Sequence, residues 1–84
     1  MGDRDKLIQK ILSGKSDYNI DFNSVCNLLI GLNFKCRIDG SHHVYWLDGI
    51  PGIINLQKEG NKAKGYQIRQ TRVYFKRNNI GGSK

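Results

Sequence analysis

The sequence predicts a small α+β protein with the element order α-α-β-β-β-α. Residues 22–32 have apolar side chains at helical spacing. Residues 34–57 contain three short apolar stretches that are separated by glycine-containing turns, as in an antiparallel meander. Residues 63–79 follow as a second region that can form a helix. Because a three-stranded sheet needs its apolar face covered, we expect the helices to pack on that face.

A first, short helix is predicted near the start of the chain, with Asp3 or Asp5 as its cap. Its apolar side chains fall on one side, at positions 7, 8, 11 and 12, and Gly14 ends it. For the second helix, Asp21 is the expected N-cap. Asn33 stands where a residue with a left-handed backbone would end that helix. We expect both helices to have structural roles.

Three strands are predicted between residues 34 and 57. Residues 34–39 alternate apolar and polar side chains, which predicts a half-buried strand. Asp39-Gly40 is the signal of a two-residue type I′ turn, and residues 42–47 form the second strand. A glycine- and proline-containing turn covers residues 48–52, and residues 53–57 form the third strand. The polar residues 58–62 are expected to be a mobile loop.

The last segment, residues 63–79, is compatible with a strand or with a helix. Its apolar residues partly alternate, but Ile68, Thr71 and Phe75 also share one helix face, with most of the basic side chains opposite. A helix is favoured because the sheet needs a cover. We therefore expect one domain over residues 1–80 and a flexible tail over residues 81–84.

The net charge of +7 is concentrated in the last third of the chain. Residues 1–57 hold six basic and six acidic residues, whereas residues 58–84 hold eight basic residues and one acid, Glu59. A polyanionic partner follows from this distribution, either nucleic acid or an acidic protein. A solvated basic helix face is the alternative interpretation.

Several classes of protein are not expected. Gln9 and Lys10 interrupt the apolar N-terminal residues, which argues against a signal peptide. No apolar stretch approaches the ~20 residues of a membrane span, so we expect a cytoplasmic protein without membrane association. The sequence contains neither a glycine-rich phosphate loop nor a carboxylate pair with the spacing of a two-metal site. No cofactor or metal is expected.

The two cysteines, Cys26 and Cys36, are too few for a disulfide framework. Both occupy positions assigned to apolar faces, so they are expected to be small buried side chains. A zinc site that combined them with His42 and His43 would need an unusual ligand spacing.

The chemistry of the chain centres on residues 39–46, which contain both histidines and the single tryptophan. On a strand, His42 and His43 point to opposite faces, so one of them should face solvent whichever face packs on the core. An imidazole exchanges protons near neutral pH. On a basic surface it can act as acid or base in RNA cleavage, in which the ribose 2′-OH attacks the adjacent phosphate. Polar strand residues without a catalytic role are the alternative.

The sequence resembles the HicA toxin family in two blocks. Residues 40–46, G-S-H-H-V-Y-W, are similar to the family signature of glycine, serine and two histidines followed by a hydrophobic and an aromatic residue. Residues 55–64 and 66–72 resemble the continuation seen in one branch of the family. Residues 22–34 are also similar, so the resemblance covers roughly residues 5–80.

The resemblance implies a small double-stranded-RNA-binding-like fold, and it resolves residues 63–79 as a helix. HicA proteins are mRNA interferases of type II toxin–antitoxin systems. They cleave RNA with a histidine of the G-S-H motif, and a HicB antitoxin neutralises them by covering the site. The resemblance therefore implies mRNA as substrate and a HicB-type antitoxin as protein partner.

The resemblance makes His42 the leading catalytic residue, with His43 as the alternative because some members have their histidine one position later. Many members carry a V-P-H-like segment after the third strand, where this chain has Leu56-Gln57-Lys58. A lysine is thus expected in the phosphate-stabilising role. The expected RNA-binding residues are Ser41, Lys58, Lys62, Lys64 and Arg69. A non-catalytic RNA-binding module of the same fold is the alternative function.

Overall fold

The computed structural model describes residues 3–80, which form three helices and five strands. The helices are α1 (Asp3–Ser13), α2 (Phe22–Gly31) and α3 (Gly65–Arg77). Between α2 and α3 lie β1 (Lys35–Asp39), β2 (His42–Trp46), β3 (Ile54–Leu56), β4 (Lys58–Glu59) and β5 (Lys62–Ala63). The α+β class and the three-stranded antiparallel sheet are confirmed, with an additional hairpin before α3. The predicted tail at residues 81–84 lies outside the described residues.

The helix α1 has the predicted apolar side. Ile8 and Ile11 are buried, and the partly buried Leu7 and Leu12 pack against them. The helix already begins at Asp3, so Asp5 lies within its first turn and is not its cap. Gly14 ends the helix with a φ of 73°, which glycine adopts without steric cost.

The helix α2 begins and ends with the local signals that the sequence predicts. Asp21 accepts hydrogen bonds from the backbone N–H and the hydroxyl of Ser24, both at 3.0 Å, which is N-cap geometry. At the other end, Asn33 has a φ of 73°. The first two N–H groups after the C-cap donate to carbonyls of the last helical turn, each at 3.0 Å, and complete a Schellman motif.

The main sheet has the strand order β1-β2-β3, and both pairs are antiparallel. Its first turn consists of Gly40 and Ser41, because Asp39 still pairs with His42. Gly40 has a φ of 62°, whereas Ser41 is not among the described residues with positive φ, as expected for a type II′ turn. The predicted type I′ turn at Asp39-Gly40 is therefore wrong by one residue.

The strand β1 is exposed along its whole length, so the prediction of a half-buried strand is wrong. Phe34 is buried just before the strand, but Ile38 is 62% exposed. The reason is that β1 is an edge strand, while α3 packs on β3 at the other edge of the sheet. The prediction of two buried cysteines consequently fails for Cys36, which is exposed; Cys26 is half-buried against the core.

The prediction of a mobile loop at residues 58–62 is wrong. These residues form most of a β-hairpin of β4 and β5. The hairpin is tied to the chain just before α2. Phe22 donates its N–H to the carbonyl of Asn61 at 3.0 Å, and Ala63 donates to the carbonyl of Ile20 at 2.9 Å. A backbone bridge joins Asp21 and Lys62. These bonds place the hairpin beside the N-terminus of α2.

The helix α3 completes the core. The predicted face of Ile68, Thr71 and Phe75 is fully buried. Of the basic residues assigned to the opposite side, Arg72 is instead half-buried and forms an ion pair with Asp17. None of the helices within residues 3–80 has the length and apolar character needed to cross a membrane.

Candidate functional site

Both histidines lie at the start of β2, at one edge of the molecule where several segments meet. The β1–β2 turn reaches the chain that follows β3, because Gln57 Nε2 donates to Ser41 Oγ at 3.4 Å. Lys64, just before α3, donates its backbone N–H to the carbonyl of Gln57 at 3.2 Å. We call this region, made of residues 39–43, 55–58, 62–64 and Phe22, the histidine edge.

His42 is exposed on the outer face of the sheet, away from the helices. Its Nδ1 lies 3.2 Å from Oδ1 of Asn55, on the neighbouring strand β3. With the amide oxygen as acceptor, Nδ1 carries the proton and Nε2 retains its lone pair. The hydrogen bond therefore orients the ring and leaves a basic nitrogen available to solvent.

His43 points to the opposite face and is half-buried, as the alternation of the strand predicts. Its ring meets that of Phe22 edge to face, with centroids 5.0 Å apart. The ammonium group of Lys58 lies 6.0 Å from the centroid of the Phe22 ring. Phe22, the first residue of α2, thus brings His43 and Lys58 to one aromatic side chain.

The three predicted RNA-binding lysines lie on the β4–β5 hairpin and directly after it. Lys58 and Lys62 lie on β4 and β5, and Lys64 occupies the N-cap position of α3. The hydrogen bonds from Ser24 hold the pKa of Asp21 below its ordinary value, and the positive charges of Lys62 and Lys58 lower it further. The backbone bridge between Asp21 and Lys62 likewise places the hairpin beside the N-terminus of α2.

Arg69 does not join this group. It lies on the exposed face of α3 near Tyr66 and Val73. Within residues 3–80, no hydrogen bond, ion pair or ring contact links Arg69 to either histidine or to the lysines of the hairpin. Its predicted role at the same site therefore has no contact to support it.

A buried glutamine holds the histidine edge together. Gln67, on α3, is only 2% exposed. Its Oε1 accepts the backbone N–H of Gln57 at 2.5 Å, and its Nε2 donates to Oε1 of Gln57 at 2.9 Å and to the hydroxyl of Tyr66 at 3.3 Å. Since Gln57 also reaches Ser41, this network connects the β1–β2 turn to the first turn of α3.

The thiol of Cys26 and the phenol of Tyr45 are unsuited as nucleophiles at neutral pH. Burial raises the pKa of the Cys26 thiol, and burial together with the neighbouring Cys26 raises that of Tyr45. Neither group is therefore ionised to a useful extent. Within the described part of the chain, no three His, Cys, Asp or Glu side chains are grouped so that they could hold a metal ion, and the zinc set of Cys26, Cys36, His42 and His43 is not assembled.

Sequence reasoning missed three residues of the histidine edge: Asn55, Gln67 and Phe22. Asn55 is a polar residue between two apolar ones on a strand, a signal that places it on the outer face. Its side-chain hydrogen bond with His42 depends on the register between β2 and β3, which the sequence of the intervening turn does not specify. Phe22 falls on a face assigned to the core, and Gln67 was assigned to no face, so nothing in the pattern indicates a link of either residue to the site.

No family model, no curated protein sequence and no solved protein structure matches this chain. The geometry of the histidine edge is therefore the basis on which a function can be argued.

Proposed function

We propose that this chain is a metal-independent ribonuclease of the HicA type, which cleaves mRNA by histidine acid–base catalysis on a small double-stranded-RNA-binding-like fold. One observation supports this function above the others. His42 is an exposed imidazole that Asn55 orients through Nδ1, and it stands at the edge to which the β4–β5 hairpin contributes two lysines and the N-cap of α3 a third. A positioned base next to cations is what cleavage at a ribose phosphate requires.

In the proposed reaction, Nε2 of His42 takes the proton of a ribose 2′-OH as its oxygen attacks the adjacent phosphorus. The new P–O2′ bond forms while the P–O5′ bond breaks, which leaves a 2′,3′-cyclic phosphate and a 5′-hydroxyl end. The leaving O5′ receives a proton from the imidazolium or from water. A positioned acid or base of this kind contributes about 10²- to 10⁴-fold to the rate.

The lysines of the hairpin are proposed to bind the RNA phosphates and to stabilise the charge that develops on the phosphorane. Lys58 is the leading candidate because it follows β3, the strand whose Asn55 orients His42. Its ammonium group lies over the Phe22 ring beside His43, on the face of β2 opposite His42, so it has to reach a phosphate at His42 around the edge of the sheet. Lys62 and Lys64 are proposed to hold flanking phosphates, with Ser41 as a further hydrogen-bonding group. Arg69 is proposed to contact RNA only at a distance from the reacting bond.

His43 is the alternative catalytic residue. Its contact with Phe22 holds the ring edge-on, and Lys58 lies against the same aromatic side chain. This position supplies a nearby cation, but the half-buried ring presents less of its surface to a substrate than His42 does. We therefore assign the acid–base role to His42 and leave His43 a packing role.

The test compares His42→Ala, His43→Ala and Asn55→Ala in two assays: growth arrest on expression, and cleavage of a purified RNA followed by its 2′,3′-cyclic phosphate product. We expect His42→Ala to lower the cleavage rate by about 10²-fold or more, and His43→Ala to lower it far less. Asn55→Ala should give an intermediate loss and change the pH profile of cleavage, since the ring is no longer oriented.

Circular dichroism and thermal unfolding of each variant control for misfolding. If both histidine variants cleave as fast as the parent, the proposed mechanism is wrong. Loss of activity in His43→Ala alone would transfer the acid–base role to His43.

A non-catalytic RNA-binding module is the second candidate, and one observation favours it. Within residues 3–80 only His42 presents an exposed imidazole, because the other histidine is packed on Phe22. The site thus lacks a second group of matched pKa to protonate the leaving oxygen. RNA that binds with strong salt dependence and stays intact would support this candidate.

We also propose that a HicB-type antitoxin neutralises the protein in the cytoplasm by covering the histidine edge. The excess positive charge of residues 58–84 suits an acidic partner as well as RNA. Co-expression with the product of the adjacent reading frame, followed by purification of the complex, tests this pairing. A protected growth phenotype without a complex would contradict it.

A further inference from the structure

A second basic feature lies outside the histidine edge, in an open groove between α1 and α2. The groove has a volume of about 520 Å³, within the range of roughly 300–1,000 Å³ that is usual for small-molecule sites. None of the residues that line it takes part in the histidine edge. The groove is therefore large enough for a small ligand and is separate from the histidine edge.

The rim of the groove is cationic. Arg4, Lys6 and Lys10 of α1 line it, and none of the described side chains that line it is a carboxylate. These three residues are half of the six basic residues in residues 1–57, a segment whose net charge is zero. Lys6 and Lys10, four residues apart on α1, are neighbours of like charge, which an anionic ligand between them and Arg4 would offset.

The guanidinium of Arg4 lies against a glycine of α2. A side chain at position 31 would place its Cβ only 2.7 Å from a guanidinium nitrogen of Arg4. Glycine is unfavourable within a helix, yet at position 31 it allows the guanidinium to lie against α2. The last turn of α2 contains no basic residue of its own, so Arg4 could alternatively serve only to neutralise the end of this helix.

The remaining lining residues add an apolar wall and a polar group. Leu7 is half-buried and Leu28 is buried, and both face the groove. Asn27 offers an amide with donors and an acceptor. The hydroxyl of Ser24 already donates to Asp21, so it can offer only its lone pairs. An apolar wall, one amide and a cationic rim together fit a ligand with a flat ring and a phosphate.

We propose that the groove between α1 and α2 binds a nucleoside phosphate. Its base lies against Leu7 and Leu28 within reach of the Asn27 amide, and Arg4 and Lys10 hold the phosphate. The ligand is either a free nucleotide or one nucleotide of an RNA strand, since both present the same chemistry. Binding here requires neither histidine, so the inference goes beyond the proposed cleavage reaction.

The test titrates adenosine monophosphate, and separately a short single-stranded oligoribonucleotide, into the full chain carrying His42→Ala so that RNA is not consumed. The double variant Arg4→Ala/Lys10→Ala should weaken binding about tenfold or more, because two charge-assisted contacts are lost. The matched control Lys15→Ala/Lys76→Ala removes the same charge from exposed positions outside the groove and should change the affinity less than about twofold. Gly31→Ala should weaken binding by displacing Arg4.

The two ligands distinguish the sources of the phosphate. Groove-dependent binding of adenosine monophosphate identifies a free nucleotide, and groove-dependent binding of the oligonucleotide alone identifies an RNA strand. The proposal is overturned if neither ligand binds, if the control weakens binding as much as the groove variant, or if Arg4→Ala lowers only the melting temperature. Cleavage of a dinucleotide by Arg4→Ala/Lys10→Ala with intact His42 reports separately on the proposed ribonuclease, because the proposed acid–base residue is not among the residues that line the groove.

Discussion

Arg72 differs from the other basic residues of α3 because its guanidinium is turned into the protein. It donates to both carboxylate oxygens of Asp17, at 2.8 and 3.2 Å, and to the carbonyl of Ile11 at 3.2 Å. The side chains of the pair are only 16% and 10% exposed. The hydrogen bonds with Asp17 raise the pKa of Arg72. Arg72 therefore joins α3 to α1 and to the segment that follows it.

We predict that Arg72→Ala lowers the free energy of unfolding by about 3 kcal/mol, because it leaves a half-buried carboxylate without its partner. Arg69→Ala, three residues earlier on the exposed face, should change it by less than about 0.5 kcal/mol. Urea denaturation of both variants measures the difference. Equal stabilities of the two variants would show that the ion pair contributes nothing.

The two histidines show how far residue-level reasoning extends. Alternation along the strand correctly separated His42 and His43 onto opposite faces, because the pleat determines this without knowledge of the fold. The contacts of each ring were not predictable. Asn55 and Phe22 come from other elements, and only the packing of those elements brings them to the histidines.

At the scale of elements, the β4–β5 hairpin meets the N-terminus of α2. Asp21 caps the helix through Ser24, and the same residue forms a backbone bridge with Lys62 of the hairpin. The pKa of Asp21 lies below its ordinary value of 3.8, first because of the hydrogen bonds from Ser24 and then because of Lys62 and Lys58. The carboxylate form is thus favoured in the folded protein.

The pH dependence of stability follows from this lowered pKa. A depressed folded-state pKa contributes stability above the unfolded value, and this contribution is lost as the pH falls through the folded value. We predict that Asp21→Asn, which retains a capping side chain, is less stable than the parent at pH 7. The difference between the two melting temperatures should shrink below pH 3.8.

Melting temperatures measured by circular dichroism between about pH 2 and 7 test this linkage. Asp39→Asn, measured in parallel, reports the general effect of removing an exposed carboxylate. A constant difference between Asp21→Asn and the parent across the acidic range would contradict the prediction.

The first strand shows what periodicity leaves open at this scale. Residues 34–39 alternate as a half-buried strand does, yet β1 is exposed on both faces because the helices do not cover that edge of the sheet. Residues 58–62 look like a loop by composition, yet backbone bonds to residues 20–22 order them as a hairpin. In both cases the neighbouring element decides the outcome.

At the scale of the whole molecule, the positive charge has at least two separate locations. The hairpin and the N-cap of α3 present Lys58, Lys62 and Lys64 at the histidine edge. The groove between α1 and α2 presents three further cations from a segment without net charge. Both locations carry the charge that phosphates require, so under the two proposals an RNA strand would be held at more than one place.

We predict that RNA binding by the His42→Ala protein weakens steeply with salt, with a logarithmic slope of about −0.7 for each phosphate contacted by a cation. Lys58→Ala/Lys62→Ala should reduce the magnitude of this slope by about 1.4, since two contacts are lost. The control Lys76→Ala/Arg77→Ala removes two exposed charges from the end of α3 and should leave the slope unchanged. Fluorescence anisotropy at several salt concentrations measures each slope, and equal reductions in both variants would show that the hairpin has no particular role.

The sequence by itself determined the features that depend on neighbours along the chain. These are α1, α2 with its caps at Asp21 and Asn33, the alternation of the histidines and the concentration of positive charge in residues 58–84. The helix over residues 63–79, which completes the α+β class, was favoured only because the sheet needs a cover. Only the tertiary structure decided which strand is the exposed edge, which basic residue is used internally, and which side chains orient His42 and support His43. The physical reason is that helix caps and pleats are local, whereas burial, strand register and contacts such as Arg72 with Asp17 arise between segments far apart in the chain.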